Sequence, residues 1–303
     1  MGVAVVIDIL IAVYNGEKVL PRLLESLEKQ TVKGHIIWQD DGSQDRSRDM
    51  MPGQEVCIPH QKGAKGNFMS LLKASENEYA MFCDEDDVWH EDKIEKTLLK
   101  MREGEKLYGR ETPILVHTDL RVTDEKGGEL HASMFGHQGW DDKANTLNRL
   151  LVQNNVTGCT VMVNRALKEL LLKADAEKMF MHDWWAALTA AAFGKVLFVN
   201  EATIDYYQHG SNQVGASKKG LAARGIKALG AYRKGKERVA LTYRHSRAFY
   251  DCYGDMLPPE AKKCLEDFLA IEKKHKLGRL TALQKGGYLM QSKVTRLGHM
   301  IFG

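Results

Sequence analysis

Three short apolar runs, each closed by a polar cluster and each leading toward residues at helical spacing, set the strongest limit on how this chain folds. Val3 to Val13 is a β-branched and aliphatic run of the kind that a strand buried on both faces requires. Tyr14-Asn15-Gly16 closes it, and Lys18 to Lys29 then places Val19, Leu20, Leu23, Leu24 and Leu27 at helical spacing. His35 to Gln39 gives a second strand, ended by Asp40-Asp41-Gly42-Ser43 and a turn into a short helix. Asn67 to Ala74 reads as a helix, Tyr79 to Cys83 as the third strand and Asp92 to Arg102 as the next helix. This alternation predicts an α/β fold with a mostly parallel sheet and right-handed crossovers, in which ligands bind beyond the carboxyl ends of the strands. The three polar clusters fall at those ends. Further strands are expected at Ile114 to Asp119, Thr160 to Val163, Val196 to Asn200 and Thr203 to Gln208, with a helix beginning near His182.

The third cluster is four consecutive acids, Asp84-Glu85-Asp86-Asp87, placed between Tyr79-Ala80-Met81-Phe82-Cys83 and Val88-Trp89. Adjacent carboxylates repel one another and lose hydration at the end of a buried strand, so a cation is needed to offset the cost. A hard divalent ion that also holds a diphosphate is one reading. A solvated acidic turn, or the start of a helix at His90-Glu91-Asp92-Lys93-Ile94, is the other. The tract taken alone leaves both open.

At 303 residues the chain can form one large α/β domain with an appendage. A net charge of +3 does not by itself imply a polyanionic partner, but its distribution is uneven: Lys273 to Phe302 holds seven Lys or Arg and no acid. Cys57, Cys83, Cys159, Cys252 and Cys264 show no paired spacing and no histidines set for zinc, which excludes the usual zinc modules and suits a reducing compartment. No signal-peptide pattern opens the sequence, and Val3 to Val13 is too short to span a bilayer. The expected location is the cytoplasm.

Six fragments, taken in order, carry a resemblance. They are Ile11-Ala12-Val13-Tyr14-Asn15-Gly16, Gln39-Asp40-Asp41-Gly42-Ser43-Gln44-Asp45, Gly66-Asn67-Phe68, Phe82-Cys83-Asp84-Glu85-Asp86-Asp87-Val88-Trp89, His182-Asp183-Trp184-Trp185 and Tyr207-Gln208-His209-Gly210-Ser211-Asn212. Each is weak alone, but together they resemble the inverting glycosyltransferases of the family 2 type, which use the GT-A fold, and within them the bacterial rhamnosyltransferase-like branch. The resemblance covers roughly residues 5 to 216 and implies a GT-A domain over 1–216 with a helical basic region over 217–303. It implies that Ala12, Tyr14, Asn15 and Asn67 belong to the nucleotide site, with Ala12 standing where family members usually carry Pro. Asp41, with Asp40 beside it, would accept the imide N–H of uracil or thymine. Asp84 and Asp86 match the D-x-D motif. Asp84 would face the ribose and Asp86 would hold Mn²⁺ or Mg²⁺ against the diphosphate, with His209 as a further metal or diphosphate group.

Asp183 matches the family's general base, the group that direct displacement with inversion requires beside the acceptor hydroxyl. Helix capping would also account for an Asp there. Trp184 and Trp185 could stack on sugars or pack in the core. Asn155, Thr157, Gly158 and Cys159 are candidates for the pocket wall or a strand-entry turn.

The implied reaction moves a sugar from a UDP- or dTDP-sugar to a glycan or lipid-linked glycan in cell-surface polysaccharide, lipopolysaccharide or capsule synthesis. A non-catalytic nucleotide-sugar or glycan-binding module is the alternative, but it would not need to keep Asp84, Asp86 and Asp183. A pyrophosphorylase-type enzyme would need a Gly-rich basic phosphate loop after the first strand, which is absent. Nucleic-acid binding lacks interleaved aromatics. Leu289, Met290, Val294, Leu297, Met300, Ile301 and Phe302, among Lys285, Lys293 and Arg296, make 273–303 a candidate for peripheral contact with the cytoplasmic face of the inner membrane, for a packing helix or for a homo-oligomer contact.

Overall fold

The computed structural model describes residues 7–208, 224–291 and 296. Its centre is one sheet built from β1 (Ile7–Val13), β2 (His35–Asp40), β3 (Gln54–Glu55), β4 (Tyr79–Asp84), β5 (Val88–Trp89), β6 (Ile114–Thr123), β7 (Glu129–His131), β8 (Met162–Asn164) and β9 (Lys195–Tyr207). The order across it is β3-β2-β1-β4-β8-β6-β9-β5, with β7 added to β6. The expected α/β architecture is present. The parallel pattern, however, holds only from β3 to β4 and again between β6 and β9. Strand β8 runs antiparallel to both β4 and β6, so the sheet is mixed. An apolar run such as Val161-Met162-Val163 shows burial but not direction, which is why the reversal could not be read from it.

Alternation along β1 explains its unbroken apolar character. Ile7, Ile9, Ile11 and Val13 join a cluster with Leu20, Leu23 and Leu27 of the helix Leu20–Glu28 and with Ile94, Leu98 and Met101 of the helix Lys93–Tyr108. Leu10 points the other way, into a cluster with Phe68, Leu71, Phe82, Val163 and Trp185 under the helices Ala64–Ala74 and His182–Phe193. Asp8 also points there. Burial alone would raise its carboxyl, but Ser75, Asn77 and His35 donate to it, and together they hold it below its ordinary value.

The acidic tract bends the sheet. Only Glu85, Asp86 and Asp87 separate β4 from β5, yet β8, β6 and β9 lie between those strands in the sheet. Four strand spacings amount to about 19 Å in a flat sheet, whereas four extended residue steps reach about 14 Å at most. The sheet therefore curls until its β5 edge comes back toward β4.

Val196 to Asn200 and Thr203 to Gln208, expected as two strands, form the single strand β9. Its register against β6 jumps from Thr118↔Val199 to Asp119↔Ala202, so the break read in the sequence is a bulge.

The expected helical character after residue 216 is seen in Arg224–Tyr253, Pro259–Ile271 and Lys276–Lys285. Val239, Tyr243, Phe249, Tyr253, Leu265 and Phe268 belong to the same buried cluster as Leu10 and Phe82. Tyr253 Oη donates to the Leu170 carbonyl at 2.9 Å, and Asn148 Nδ2 to that of Gly286 at 2.9 Å. Leu283, Tyr288 and Met290 are buried in this packing, while Val294, Leu297 and Met300 to Phe302 lie outside the described residues. No described helix is long and apolar enough to cross a membrane.

Candidate active site

Parallel register assembles the first part of the site. Ala12 lies between Gln39 on β2 and Asp84 on β4, and Val13 lies beside Asp40, so three strand ends meet at one edge as the spacing predicted. The loop after β1 is fastened across that edge. Asn15 takes φ 53°, a left-handed conformation that Asn tolerates. The N–H of Asn15 donates to Ser43 Oγ at 2.9 Å, that of Gly16 to Ser47 Oγ at 2.8 Å and that of Glu17 to Asp45 at 3.1 Å. Asn15 Oδ1 accepts from the Gln44 N–H at 2.8 Å. The Tyr14 N–H donates to Glu85 Oε2 at 2.7 Å, leaving the Tyr14 ring exposed. A Cβ on Gly16 would lie 2.6 Å from that oxygen, so a side chain there would push the Glu85 carboxylate off the Tyr14 N–H. Burial pushes the Glu85 carboxyl up to about 8, and the Tyr14 N–H only partly offsets this.

Asp41 is held by neighbours on both carboxylate oxygens. Its Oδ2 accepts from the Gly63 N–H at 2.6 Å, and its Oδ1 lies 3.0 Å from His60 Nε2. The Gln39 amide donates to the Ile58 carbonyl at 2.6 Å and meets His60 Nδ1 at 2.8 Å, which makes Nδ1 the acceptor and Nε2–H the donor to Asp41. His60 was not anticipated, since an isolated Pro59-His60 carries no motif. Asp40 Oδ2 accepts from the N–H groups of Gly42 and Ser43 in the turn, while its Oδ1 is buried without a partner. Asn67 stands behind this edge, 1% exposed, and donates to the Gln39 carbonyl at 2.9 Å. It therefore braces β2 from beneath.

The four acids are not equivalent. Asp84, Glu85 and Asp86 are half-buried, whereas Asp87 is fully buried beside Cys83 and Cys159. Burial, then the charges of Asp86 and Asp84, raise the Asp87 carboxyl well above its ordinary value. Lys93 is also fully buried, its Nζ 4.7 Å from the Trp89 ring without a hydrogen-bond partner, and burial lowers it to about 8. Asp84 is raised to about 7 by burial, then by the charge of Asp86 and then by that of Asp183. Two residues far apart in sequence thus feel one another across the site. Arg22, which sequence reasoning did not single out, donates to the Asp86 carbonyl at 3.0 Å.

Asp183 occupies the first turn of the helix His182–Phe193 and accepts from the Trp184 N–H at 2.6 Å. Burial raises it to about 6, and hydrogen bonds from the Trp184 and Gly158 backbone and the Asn154 side chain limit the rise. His182 is buried between Phe68 and Phe82, its ring centroid 4.5 Å and 5.2 Å from theirs, and burial holds it neutral at about 3. A Cβ on Gly158 would come within 2.9 Å of His182 Nε2 and 3.7 Å of the Asp183 Cβ.

Asp183 opens into a cavity of about 270 Å³ lined by Trp140, Asn154, Thr157, Phe180, Trp184, Tyr206 and Arg238, among others. Of the candidate wall residues, Thr157 lines this cavity. Gly158 and Cys159 are buried behind it, and Asn155 is buried with its amide donated to Asn145 at 3.0 Å. Trp185 is core, packed against Phe249 and Tyr253.

The acidic turn fits a hard divalent ion by its chemistry. Asp84 has no ion pair with any described residue, and its raised carboxyl reports negative charge without an offsetting cation. Asp84 and Asp86 supply the oxygen ligands that Mn²⁺ or Mg²⁺ prefers. The described side chains whose ligand atoms lie within 4.8 Å of one another are Asp84, Asp87 and Cys159, but the thiol is a soft donor and Asp87 is turned into the core. His209, the other expected ligand, lies outside the described residues.

Comparison with known proteins agrees with this geometry. The family model described as Glycosyl transferase family 2 matches residues 8–171. The chain is 25% identical over 229 residues to the dTDP-rhamnosyl transferase RfbG of Shigella flexneri, covering 68% of this chain and 74% of that protein. With WfaP of Escherichia coli, a UDP-Glc:alpha-D-GlcNAc-diphosphoundecaprenol beta-1,3-glucosyltransferase, it shares 32% over 124 residues, 39% of this chain and 49% of that one. It spans 64% of the length of an uncharacterized glycosyltransferase of Rickettsia typhi, with 23% identity and 67% of this chain aligned. In fold it resembles TarS 1-349 of S. aureus in complex with UDP-GlcNAc, at a TM-score of 0.55, 14% identity, and 98% and 88% of the two chains. Because the family model covers more than half of the sequence, including the strands β2 and β4 and nearly all of β1 with the turns that build this edge, the chain belongs to glycosyl transferase family 2.

Proposed function

We propose that this protein transfers a sugar from a UDP- or dTDP-sugar to a glycan or lipid-linked glycan, with inversion, and that Asp183 is the base. The observation that supports the reading is Asp183 in the wall of the cavity, with its charge, after burial and Asp86, among the causes that raise Asp84, the residue matched to the D-x-D motif. In a single displacement the acceptor oxygen bonds to the anomeric carbon as the bond to the nucleoside diphosphate breaks, and the hydroxyl proton passes to Asp183. At about 6, Asp183 is more basic than an ordinary aspartate and still ionised at neutral pH. Asp41, held by His60 and Gly63, would accept a pyrimidine imide proton. Asp84 and Asp86 would hold Mn²⁺ or Mg²⁺, which when bound supplies Lewis-acid stabilisation of the leaving diphosphate.

The printed names support the class of donor and acceptor without fixing either. RfbG is a dTDP-rhamnosyl transferase, WfaP takes UDP-Glc and a diphosphoundecaprenol acceptor, and TarS was seen with UDP-GlcNAc.

A thermal-shift panel of UDP-, dTDP- and GDP-sugars with Mn²⁺ identifies the donor. Asp183→Asn should then abolish transfer while leaving donor binding nearly unchanged. Activity within a few-fold of the parent protein would remove Asp183 from the role.

A further inference from the structure

The cavity beside Asp183 carries one other charged group among its described wall residues, Arg238 on the helix Arg224–Tyr253. Three described arginines, by contrast, are matched to acids. Arg46 reaches Glu17 at 2.6 Å, Arg48 reaches Glu55 at 2.5 Å, and Arg121 forms two contacts of 2.7 Å with Asp205. Arg238 has no hydrogen bond or ion pair with any described residue. Its side chain is open to solvent, yet enough protein surrounds the guanidinium that burial lowers its pKa, and no nearby anion offsets the effect.

Beside the polar Gln153, Asn154 and Thr157, the rest of the wall is aromatic or apolar, with Trp140, Phe180, Trp184 and Tyr206 among it. Such surfaces suit the carbon faces of a sugar ring. At about 270 Å³ the cavity is smaller than most drug-sized pockets and has room for about one ring. An unmatched guanidinium is a bidentate receptor for phosphate oxygens. A single ring between Asp183 and Arg238 would present a hydroxyl to the first and its own anomeric substituent to the second.

We infer that Arg238 binds a phosphate carried by the acceptor's terminal sugar, so that the acceptor is a glycosyl diphosphate and not a neutral glycan. This rests on the proposed reading of Asp183 as the acceptor-side base.

Binding can be measured without turnover, because Trp140 and Trp184 line the cavity and report occupancy by fluorescence. The probes are glucosyl, galactosyl and N-acetylglucosaminyl diphosphoryl undecanyl lipids, each against the matched undecyl glycoside without phosphate. At least one diphosphoryl probe should bind ten-fold or more tightly than its neutral counterpart. Arg238→Gln should erase that difference and Arg238→Lys should keep part of it, with UDP affinity unchanged in both. The inference is overturned by a parent protein without the preference, by Arg238→Gln that retains it, or by Arg238→Gln that weakens UDP to the same extent. Failure of the broader reading has another signature, the loss of Mn²⁺-dependent UDP binding in the parent protein itself.

Discussion

Arg22 hydrogen-bonds to the backbone carbonyl of Asp86 at 3.0 Å while its guanidinium lies 3.6 Å from the ring centroid of Tyr207. One side chain of the helix Leu20–Glu28 thus fastens the acidic turn to the end of β9. Arg22→Ala should cost about 1.5–3 kcal/mol of stability in urea unfolding, the range for a hydrogen bond to a charged group. Arg22→Lys should recover less than half, since an ammonium cannot donate from a plane and stack at the same time. Calorimetry should also show weaker Mn²⁺-dependent donor binding in the alanine variant. Unchanged stability and binding would assign Arg22 to the surface alone.

The acid limb of activity should reflect Asp183. A base must be ionised to act, so kcat/KM should rise with pH around a midpoint near 6 and flatten above it. Asp183→Asn should remove the limb together with the activity.

Stability should move in the opposite sense. Asp183, Asp84 and Glu85 are raised to about 6, 7 and 8, so the folded protein holds protons that the unfolded chain releases. Their contribution is greatest below the ordinary carboxylate range and is lost as pH climbs from about 4 to 8. Asp205, lowered to about 2 because His90 and Arg121 outweigh its burial, acts with the other sign but only below pH 4. Between pH 6 and pH 8 the buried His117, His182 and His245, lowered to about 3, 3 and 4, pull the other way, so the carboxyl effect is read against a variant. Without metal, the change in melting temperature from pH 6 to pH 8 should be less favourable in the parent protein than in Glu85→Gln. Mn²⁺ should narrow that difference, and equal changes in the two proteins would contradict the assignment.

Asp87 and Lys93 should behave as one unit. Each is fully buried, and the charge of each eases the burial of the other. They form no ion pair or hydrogen bond with each other, so their coupling acts through charge at a distance and should lie within about 0.5–3 kcal/mol. Lys93→Met with Asp87→Asn should lose less than the two single changes added. A double-mutant cycle with no interaction energy would show that the two charges are independent.

Gly158→Ala should damage catalysis more than folding. The new methyl would meet a histidine ring clamped between two phenylalanines, which cannot swing aside. A cost of about 1–3 kcal/mol is expected from overpacking. Because Gly158 also donates to Asp183, kcat should fall while UDP affinity holds. An alanine variant of normal kcat would place that backbone outside the reaction.

The first part of the chain was legible because its elements are local. The β-branched run at β1 and the helix-spaced leucines after it each report one element, and the polar residues at strand ends gather at one edge of the sheet. Strand direction was not legible at Met162–Asn164, where a few buried residues pair with strands distant in sequence. Strand β6 ran past Asp119 to Thr123 because buried polar groups there are satisfied by tertiary partners. Asp119, for example, accepts from the N–H groups of Leu120, Met134 and Phe135. Arg22, His60 and Arg238 escaped notice for a related reason: each matters through a neighbour brought close only by folding. Asp183, by contrast, was singled out because His182-Asp183-Trp184-Trp185 matches the family's pattern at the start of a helix, and the structure does begin a helix at His182.

The curl of the sheet bears on how such a site can change over evolutionary time. With three residues between β4 and β5, the acidic tract is also the tie that draws one edge of the sheet toward its middle. Substitutions within the tract alter its charge and leave the tie intact. An inserted residue could preserve every carboxylate and still slacken the curvature that gathers them, so a change of length here should cost more than a change of side chain.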